Sequence, residues 1–487
     1  MATVNSSALT RRKFMKQSAA GASAAIGALS GAGCGESDPA SSEARRPNIL
    51  FLLSDDQRWD MMGCAGNPII QTPNMDKLAQ QGVLFRRNFV TTSICAVSRA
   101  SFLTGLYARC HGIHGFGVSL SDEQHAASYP GMLRAAGYRT GFIGKYGVGR
   151  AMPDDKFDFS RGFAGQGRYL DKDDPSSRPH LTTIMGDQAQ EFLESSSGEQ
   201  PFCLSVSFKA PHVQDGEAPY FISDPAYDEL YADVTIPPFH KNDPAYYDQL
   251  PGFLKDGYEG RIRWERRFGT PEKYQESVKR YYRLIYGVDV QIGRILDTLR
   301  RKGWDDNTVI VFAGDNGFYL GERGQAGKWL MHEESIRTPL IIRDPRQKET
   351  AGTTRDQMAL NIDCAPTMLS LAGIDAPVSM NGRDLTPLVR GESPAWRQEW
   401  FYEHLFEHAT IPKTEGVRSG NWKYCDFIES DPRYEELYDL QGDPQEEHNL
   451  ASVSEHAEQL AAMRRRSRAW RENLEAWQPN QPWQEPT

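Results

Sequence analysis

The 487-residue sequence predicts an α/β protein, with a large, mostly parallel sheet flanked by helices and a smaller C-terminal α+β subdomain that contains an antiparallel sheet. Two observations predict this class. Mostly apolar runs of strand length alternate with helix-length segments up to about residue 375, as in a parallel sheet covered on both faces. From residue 376 onward, short aromatic-rich stretches follow one another, which is typical of a small antiparallel sheet.

The first apolar run, residues 48–54, is predicted to be a central parallel strand. Thr72 is expected to cap a helix that has Pro73 in its first turn and ends near residue 81. Another helix is expected to begin near Cys95 and to stop before Gly105. The other predicted strands are 83–89, 140–144, 202–208, 308–313 and 340–343. The other predicted helices are 182–195, 271–301, 362–371 and 455–477, and the antiparallel sheet is expected to include 400–402 and 421–427.

Composition excludes several classes of protein. Hydrophobic residues make up 39% of the chain and charged residues 25%, which fits a soluble globular protein. The formal net charge of −10 argues against a nucleic-acid partner, because proteins of that kind normally carry a basic face. Seven cysteines in a chain of this length do not indicate a disulfide framework, and most of them are predicted to be small buried residues.

Residues 1–34 are predicted to be an export signal, because a basic start precedes a short, weakly apolar run. The pair Arg11 and Arg12 resembles the twin-arginine type of signal, with an ordinary secretory signal as the alternative. Cys34 is a candidate for lipidation, the one membrane attachment expected, although the large aliphatic residue usual three positions before it is missing. With a polar linker at 35–46, the protein is expected in the periplasm or outside the cell.

Polar side chains follow two of the predicted strands. Asp55 and Asp56 come after the first strand, and Asp315 and Asn316 come after the strand 308–313. Open α/β sheets place their sites at these strand ends. Four hard oxygen donors suit Ca²⁺ or Mg²⁺ and suit zinc poorly. The alternative is that both segments are ordinary turns.

A second group of residues lies around Cys95. On a helix, Cys95 and Arg99 are four residues apart and share one face, with Ser98 beside them. The unpaired N–H groups of a helix N-terminus favour a tetrahedral oxyanion. From this segment alone, a buried cysteine at a helix start is the simpler interpretation.

Taken together, these segments resemble the type I sulfatases of the alkaline phosphatase superfamily. Cys95-x-x-Ser98-Arg99-x-x-x-Leu103-Thr104-Gly105 is similar to the signature of that family. Other similar segments follow in the family's order, at 55–58, 144–145, 210–212, 314–317, 320–322, 328, 333–340, 436–440, 443–444 and 449–450. The resemblance covers roughly residues 47 to 450. The change of pattern at about residue 376 divides the chain after the linker into a catalytic domain at 47–375 and a C-terminal subdomain at 376–487.

The resemblance implies that a formylglycine-generating maturase oxidises Cys95 to formylglycine, whose hydrated aldehyde is the nucleophile. It implies one Ca²⁺, with Mg²⁺ as the second choice, held by Asp55, Asp56, residue 95, Asp315 and Asn316. Arg99 and Lys145 would then orient the diol and stabilise its oxyanion. His212 and Lys328 would bind the sulfate and protonate the leaving alcohol or phenol. The expected substrate is a sulfated small molecule or glycan, with a sulfated carbohydrate favoured.

The sequence departs from the family at two positions. Val97 stands where the family usually has Pro or Ala, and the maturase reads that position, so the conversion of Cys95 is a point to test. Gly147 stands where the family has a histidine thought to assist release of the sulfate. The candidates to replace this base are His111, His114 and His332.

Two other functions compete with the sulfatase interpretation. One is a phosphoester or phosphonate hydrolase of the same superfamily, since the same metal site can serve phosphoryl transfer. The other is a catalytically inactive glycan-binding protein that keeps Cys95 unmodified. The segment 216–272, rich in aromatic residues and arginines, could provide sugar subsites or could be a solvated basic loop.

Overall fold

The computed structural model describes residues 45–216 and 218–486, so the predicted export signal, Cys34 and most of the linker lie outside the described residues. The strands before residue 376 are, in chain order, β1 (Asn48–Asp55), β2 (Val83–Phe85), β3 (Asn88–Phe89), β4 (Arg139–Lys145), β5 (Phe159–Phe163), β6 (Phe202–Pro211), β7 (Thr308–Gly314), β8 (Tyr319–Leu320), β9 (Ala326–Gly327), β10 (Leu340–Arg343), β11 (Thr353–Arg355) and β12 (Ala359–Leu360). Eight of them form one sheet in the order β11-β2-β10-β7-β1-β6-β4-β5. In this sheet β10 runs antiparallel to both neighbours, and the other pairs are parallel. The predicted mostly parallel sheet is confirmed.

The helices are α1 (Pro73–Gln81), α2 (Cys95–Thr104), α3 (Ala108–His111), α4 (Asp122–Ala127), α5 (Tyr129–Ala135), α6 (Leu181–Glu194), α7 (Pro244–Asp248), α8 (Glu259–Arg267), α9 (Pro271–Arg301), α10 (Glu333–Ile336), α11 (Cys364–Leu371), α12 (Thr386–Val389) and α13 (Ala457–Glu475). Within the described residues, no helix combines the length and the apolar character needed to cross a membrane.

The five described cysteines other than Cys95 are free thiols: Cys203, Cys364 and Cys425 are buried, and Cys64 and Cys110 are partly buried.

Strand β1 lies at the centre of the sheet, between β6 and β7, and every one of its residues is buried. Side chains alternate between the two faces of a strand. Leu50 and Leu52 accordingly pack into the core that contains Met185 of α6 and Val288 of α9. Residues 49, 51 and 53 pack into a second core with α2, α5 and α11. Two apolar faces explain why the run 48–54 shows no polar alternation.

The C-terminal part forms a four-stranded antiparallel sheet, as predicted. Its strands are β13 (Glu399–His404), β14 (Thr414–Ser419), β15 (Trp422–Phe427) and β16 (Tyr434–Asp439), paired in chain order. Helix α13 covers this sheet, where the ring of Trp470 stacks on Phe401 with centroids 6.4 Å apart. A third apolar core joins these elements.

Two local predictions are wrong. The segment 83–89 is not one strand, because the chain turns at Arg86 and Arg87, so that β2 joins the large sheet and β3 pairs with β12. Thr72 precedes α1, but its side chain does not cap the helix. Its hydroxyl accepts from the backbone N–H of Gly63 at 2.9 Å and donates to Asp76 at 3.0 Å, which ties the preceding turn to the helix instead.

Candidate active site

The ends of β1 and β7 bring the predicted acidic residues together. Asp55 is the last residue of β1, and Asp315 directly follows β7, its hydrogen-bonded neighbour. Asp56 has a left-handed backbone with φ of 65°, its N–H donates to Asp315 Oδ1 at 3.1 Å, and its carbonyl accepts from the hydroxyl of Tyr281 at 2.6 Å. Carboxylate oxygens of Asp55, Asp56 and Asp315 consequently lie within 4.8 Å of one another.

This carboxylate cluster is a candidate metal site. Three of its buried oxygen atoms have no hydrogen-bond partner among the described residues, namely Asp55 Oδ1, Asp56 Oδ2 and Asn316 Oδ1. Each buried acceptor without a partner costs about 1–3 kcal/mol. Burial raises the pKa of Asp56, and burial followed by the neighbouring Asp55 raises the pKa of Asp315 to about 6. Because a hard divalent cation would satisfy these oxygens and offset their charge, the donor set fits Ca²⁺ or Mg²⁺.

Arg99 and Lys145 bring positive charge to the same cluster. From the first turns of α2, Arg99 donates through Nε to Asp315 at 2.8 Å and through Nη2 to Asp55 at 3.1 Å. Its Nη1 donates to the carbonyl of Lys145 at 2.5 Å and to the hydroxyl of Ser207. Lys145, the last residue of β4, donates to Asp55 Oδ2 at 2.5 Å. Burial alone would raise the pKa of Asp55, but Lys145, then His212 and Arg99, lower it well below its usual range.

Cys95 begins helix α2 and lies beside Lys328. The ammonium of Lys328 donates to Cys95 Sγ at 3.4 Å and to Asp56 Oδ1. Burial raises the pKa of the Cys95 thiol, so the unmodified side chain is protonated and a poor nucleophile at neutral pH. Burial would lower the pKa of Lys328, but Asp56 and its neighbours raise it above its ordinary value, so this ammonium keeps its proton.

His212 follows β6 and completes the group. Cys95, Asp55 and His212 each place a ligand atom within 4.8 Å of the others. The Nδ1 of His212 donates to the carbonyl of Val213 at 2.7 Å, which leaves Nε2 facing Asp56 Oδ2 at 3.6 Å. Burial lowers the pKa of His212 well below its ordinary value, so the ring is neutral at pH 7. All nine predicted site positions therefore converge, and their roles stay predictions.

The three candidate replacement bases differ in their surroundings. Nε2 of His111 pairs with the hydroxyl of Ser101 at 3.1 Å and Nδ1 accepts from a backbone N–H, and burial lowers the pKa of His111 to about 3. His332 is held by the hydroxyl of Tyr319 at 2.6 Å on Nδ1 and by Glu436 at 3.3 Å on Nε2. His114 is partly buried, and burial lowers its pKa. His111 and His332 thus have both nitrogens engaged by residues outside the carboxylate cluster.

Gly147 lies directly against the two cations. With φ of +74°, it places the position of a Cβ atom 3.0 Å from Arg99 Cδ and 3.6 Å from Lys145 Cε. A side chain here would therefore touch both residues. Because Gly147 has no side chain, space is left beside Arg99 and Lys145.

Sequence reasoning missed two polar partners of the cations. Gln166, in the loop after β5, accepts from Lys145 Nζ at 2.7 Å. Ser207 contacts Arg99 from within β6. Ser205 and Ser207 interrupt a mostly apolar strand, which was a signal for Ser207, whereas nothing in the sequence around Gln166 distinguishes it from other loop residues.

Comparison with known proteins gives the family. The family model described as Sulfatase matches residues 47–374, and the model described as N-sulphoglucosamine sulphohydrolase, C-terminal, matches residues 321–473. An N-acetylglucosamine-6-O-sulfatase of Bacteroides thetaiotaomicron is 32% identical over 493 residues, covering 89% of this chain and 87% of that protein. The resemblance drawn from the motifs is confirmed.

Solved structures agree with this result. A protein in complex with its substrate, D-glucosamine-2-N,6-O-disulfate, superposes with a TM-score of 0.76 at 28% identity, covering 90% of this chain and 100% of that chain. The phosphonate monoester hydrolase of Agrobacterium radiobacter has a TM-score of 0.74 at 22% identity, covering 88% and 96%, and shares the fold. The family match over most of the chain and the similarity to a named sulfatase show that this protein belongs to the sulfatase family.

Proposed function

We propose that this sulfatase hydrolyses a sulfate ester on an amino sugar of the glycosaminoglycan type, with a formylglycine made from Cys95 and a bound Ca²⁺. The observation that carries the proposal is that Cys95 lies beside both Lys328 and Asp55, in a carboxylate cluster where three buried oxygens have no hydrogen-bond partner among the described residues. The proposed substrate class is supported by the similarity to an N-acetylglucosamine-6-O-sulfatase, which covers 89% of this chain.

The metal is proposed to be held by Asp55, Asp56, Asp315 and Asn316, with the modified residue 95 as a further ligand. When bound, Ca²⁺ would act as a Lewis acid on a sulfate oxygen and offset its charge. Formylglycine would supply a hydroxyl nucleophile from its hydrated aldehyde, which the protonated Cys95 thiol cannot offer. Lys145 and Arg99 keep Asp55 ionised, Arg99 also holds Asp315 in place, and their positive charges favour a negative oxygen at position 95.

Charge balance predicts which esters the site accepts. The cluster holds three carboxylates (Asp55, Asp56 and Asp315) and three cations (Arg99, Lys145 and Lys328), and His212 is neutral. A divalent ion therefore leaves two positive charges. A sulfate monoester with one negative charge and a deprotonated hydroxyl nucleophile with another would balance them. A phosphate monoester, nearly a dianion at neutral pH, would leave an uncompensated buried charge.

Lys328 and His212 are proposed to bind the sulfate and to protonate the leaving oxygen. Lys328 carries a proton at neutral pH, whereas the neutral His212 ring offers an unprotonated Nε2. Lys328 can therefore donate to the leaving oxygen in its charged form and stabilise the negative charge that develops there, and His212 orients the sulfate and passes a proton only after gaining one. A positioned general acid contributes about 10²–10⁴ in rate.

The maturation and location of the protein are part of the same proposal. A formylglycine-generating maturase is the expected partner, and it must accept Val97 near Cys95. We propose a twin-arginine signal at 1–34, a linker at 35–46, and a periplasmic or extracellular product, with lipidation at Cys34 as a second form. A catalytic domain at 47–375 would contain every proposed site residue.

The test is sulfate release by protein produced together with a maturase and supplied with Ca²⁺. N-acetylglucosamine 6-sulfate and an aryl sulfate should both release sulfate, measured by ion chromatography. Cys95→Ala should abolish sulfate release. The control is Cys203→Ala, which replaces a different buried cysteine, on β6, and should retain release. No release from any sulfated amino sugar or aryl sulfate, despite an aldehyde at position 95, would refute the proposed activity. No release together with an unmodified Cys95 would favour the inactive glycan-binding protein.

A phosphonate monoester or phosphodiester hydrolase is the second candidate, because such esters also carry a single negative charge. The shared fold with a phosphonate monoester hydrolase keeps this candidate open. Matched aryl esters separate the two functions. Sulfatase function predicts a higher kcat/KM for the aryl sulfate than for the aryl phosphonate, and the reverse order would establish the second candidate.

A further inference from the structure

The cation Arg267 lies outside the carboxylate cluster, and only one of its three guanidinium nitrogens has a hydrogen-bond partner among the described residues. It is the last residue of α8, and it is 3% exposed. Its Nη2 donates to Asp215 Oδ1 at 3.0 Å. Nε and Nη1 are buried and have no hydrogen-bond partner among the residues that the structure describes. A buried guanidinium with two unpaired nitrogens is costly, so a ligand that supplies acceptors would relieve a real penalty.

The carboxylate that faces Arg267 is loosely placed. The side chain of Asp215 is 47% exposed, and it is shared with Arg263, whose Nη1 is 3.9 Å away. Arg263 also pairs with Glu259 at 2.7 Å. A Cβ atom on the neighbouring Gly216 would meet nothing within 4 Å, so the loop has open space beside it. The side chain of Asp215 therefore has room to turn toward solvent, and an anionic group of a ligand can take the place of its carboxylate beside Arg267.

Asp215 and Arg263 lie close in the chain or in space to two predicted catalytic residues, His212 and Lys328. Asp215 is three residues beyond His212, which limits their Cα separation to about 10 Å. The guanidinium of Arg263 lies 4.9 Å from the ring of Trp329, the residue directly after Lys328. Burial, then Arg263, lowers the pKa of Arg267 to about 10, so the side chain is still charged at neutral pH.

We propose that Arg263 and Arg267 form a second anion subsite, which binds another sulfate, sulfamate or carboxylate group of the same glycan while the reacting sulfate lies at Cys95. The carboxylate of Asp215 occupies this subsite until the substrate displaces it. The inference rests on the proposed function, because it takes the substrate to be a sulfated carbohydrate, and it narrows that substrate to one with at least two anionic groups.

Titration calorimetry on Ca²⁺-loaded Cys95→Ala protein tests the subsite without turnover. The probes are glucosamine-N,6-O-disulfate and N-acetylglucosamine 6-sulfate, which differ in the second anion. We expect the disulfate to bind at least about 10-fold more tightly, and Arg267→Gln to weaken disulfate binding by about 10- to 100-fold while changing monosulfate binding less than about twofold. The control Arg266→Gln removes the same charge from an exposed neighbouring position and should change neither.

Asp215→Asn provides a second test that a folding defect cannot imitate. Removing the internal anion should tighten disulfate binding and leave monosulfate binding unchanged. Equal affinity of the two probes for the parent, equal losses for both probes in Arg267→Gln, or weaker disulfate binding in Asp215→Asn would each overturn the subsite. A failure of the proposed function shows separately, as matured enzyme that releases no sulfate from either probe. Repeating the titration with a uronic acid-containing monosulfate distinguishes a carboxylate from a second sulfate as the preferred anion.

Discussion

Ca²⁺ should stabilise the protein more at neutral pH than in acid. Without metal, burial and then Asp55 raise the pKa of Asp315 from 3.8 to about 6. The folded protein then binds this proton more tightly than the unfolded chain does. The contribution of Asp315 to the free energy of unfolding is therefore full below about pH 4 and is lost as the pH rises through about 6. A shift of this size corresponds to about 3 kcal/mol.

A bound divalent cation reverses this loss, because it favours the ionised carboxylates. The pKa of Asp55 is lowered, so Asp55 is ionised in both states above about pH 5 and adds no slope there. The pKa of Asp56 is raised, and it adds to the effect with the same sign. The stabilisation by Ca²⁺ should consequently grow by about 3 kcal/mol between about pH 4 and pH 7, and at about 1,000-fold excess over Kd its total should reach about 4 kcal/mol.

Urea unfolding with excess Ca²⁺ and with a chelator, at several pH values, measures this increment directly. In Asp315→Asn, the stabilisation by Ca²⁺ should no longer grow between about pH 4 and pH 7. Asp289→Asn is the matched control, since burial also raises the pKa of Asp289 to about 6, yet this carboxylate accepts from the backbone of Asn74 and Met75 at the start of α1. A calcium increment that is independent of pH in the parent, or that survives in Asp315→Asn, would refute the metal assignment.

Three further predictions follow from single contacts. Lys328→Met should lower kcat/KM by about 10²–10⁴ for sugar sulfates and less for aryl sulfates, whose phenolates need little protonation; equal losses would limit Lys328 to binding. Gly147→Ala should cost about 1 kcal/mol, because its φ is +74°, and should lower kcat by displacing Arg99; unchanged stability and kcat would contradict this contact. In the parent, Arg397 Nη2 donates to Asp363 Oδ1 at 2.7 Å. Arg397→Met leaves Asp363 as an uncompensated buried charge and should lower the free energy of unfolding by about 3–5 kcal/mol. An unchanged urea midpoint would contradict the pairing.

The sheet was predictable because its central strands are buried on both faces. β1, β6 and β7 appear in the sequence as mostly apolar runs, and Asp55 and Asp315 end up together because the strands that precede them are neighbours. The edge strands β5 and β11 were missed, since their residues are only partly buried or exposed and carry no apolar run. The turn at Arg86 and Arg87 was hidden because strands occur on both sides of it.

The site was predictable from the sequence pattern where acidic residues follow neighbouring strands, as for Asp55 and Asp315. Cys95 and Arg99 were assigned to it by the resemblance to the sulfatases, because the helix start alone favoured a buried cysteine. The site was not predictable where a contact joins distant loops. The loop after β5 brings Gln166 to Lys145 at the end of β4, and the sequence does not encode that path in any local pattern. Arg267 is similar: the arginine-rich segment was visible, but which of its arginines is buried depends on how α8 packs.

Mass spectrometry of the peptide that contains Cys95 tests the central claim most directly. Protein produced together with a formylglycine-generating maturase should carry an aldehyde at position 95, and its sulfatase activity should rise in proportion to the converted fraction. Val97 makes this measurement informative, because the maturase reads that position. An intact Cys95 thiol on every copy of a preparation that still releases sulfate would contradict the formylglycine mechanism.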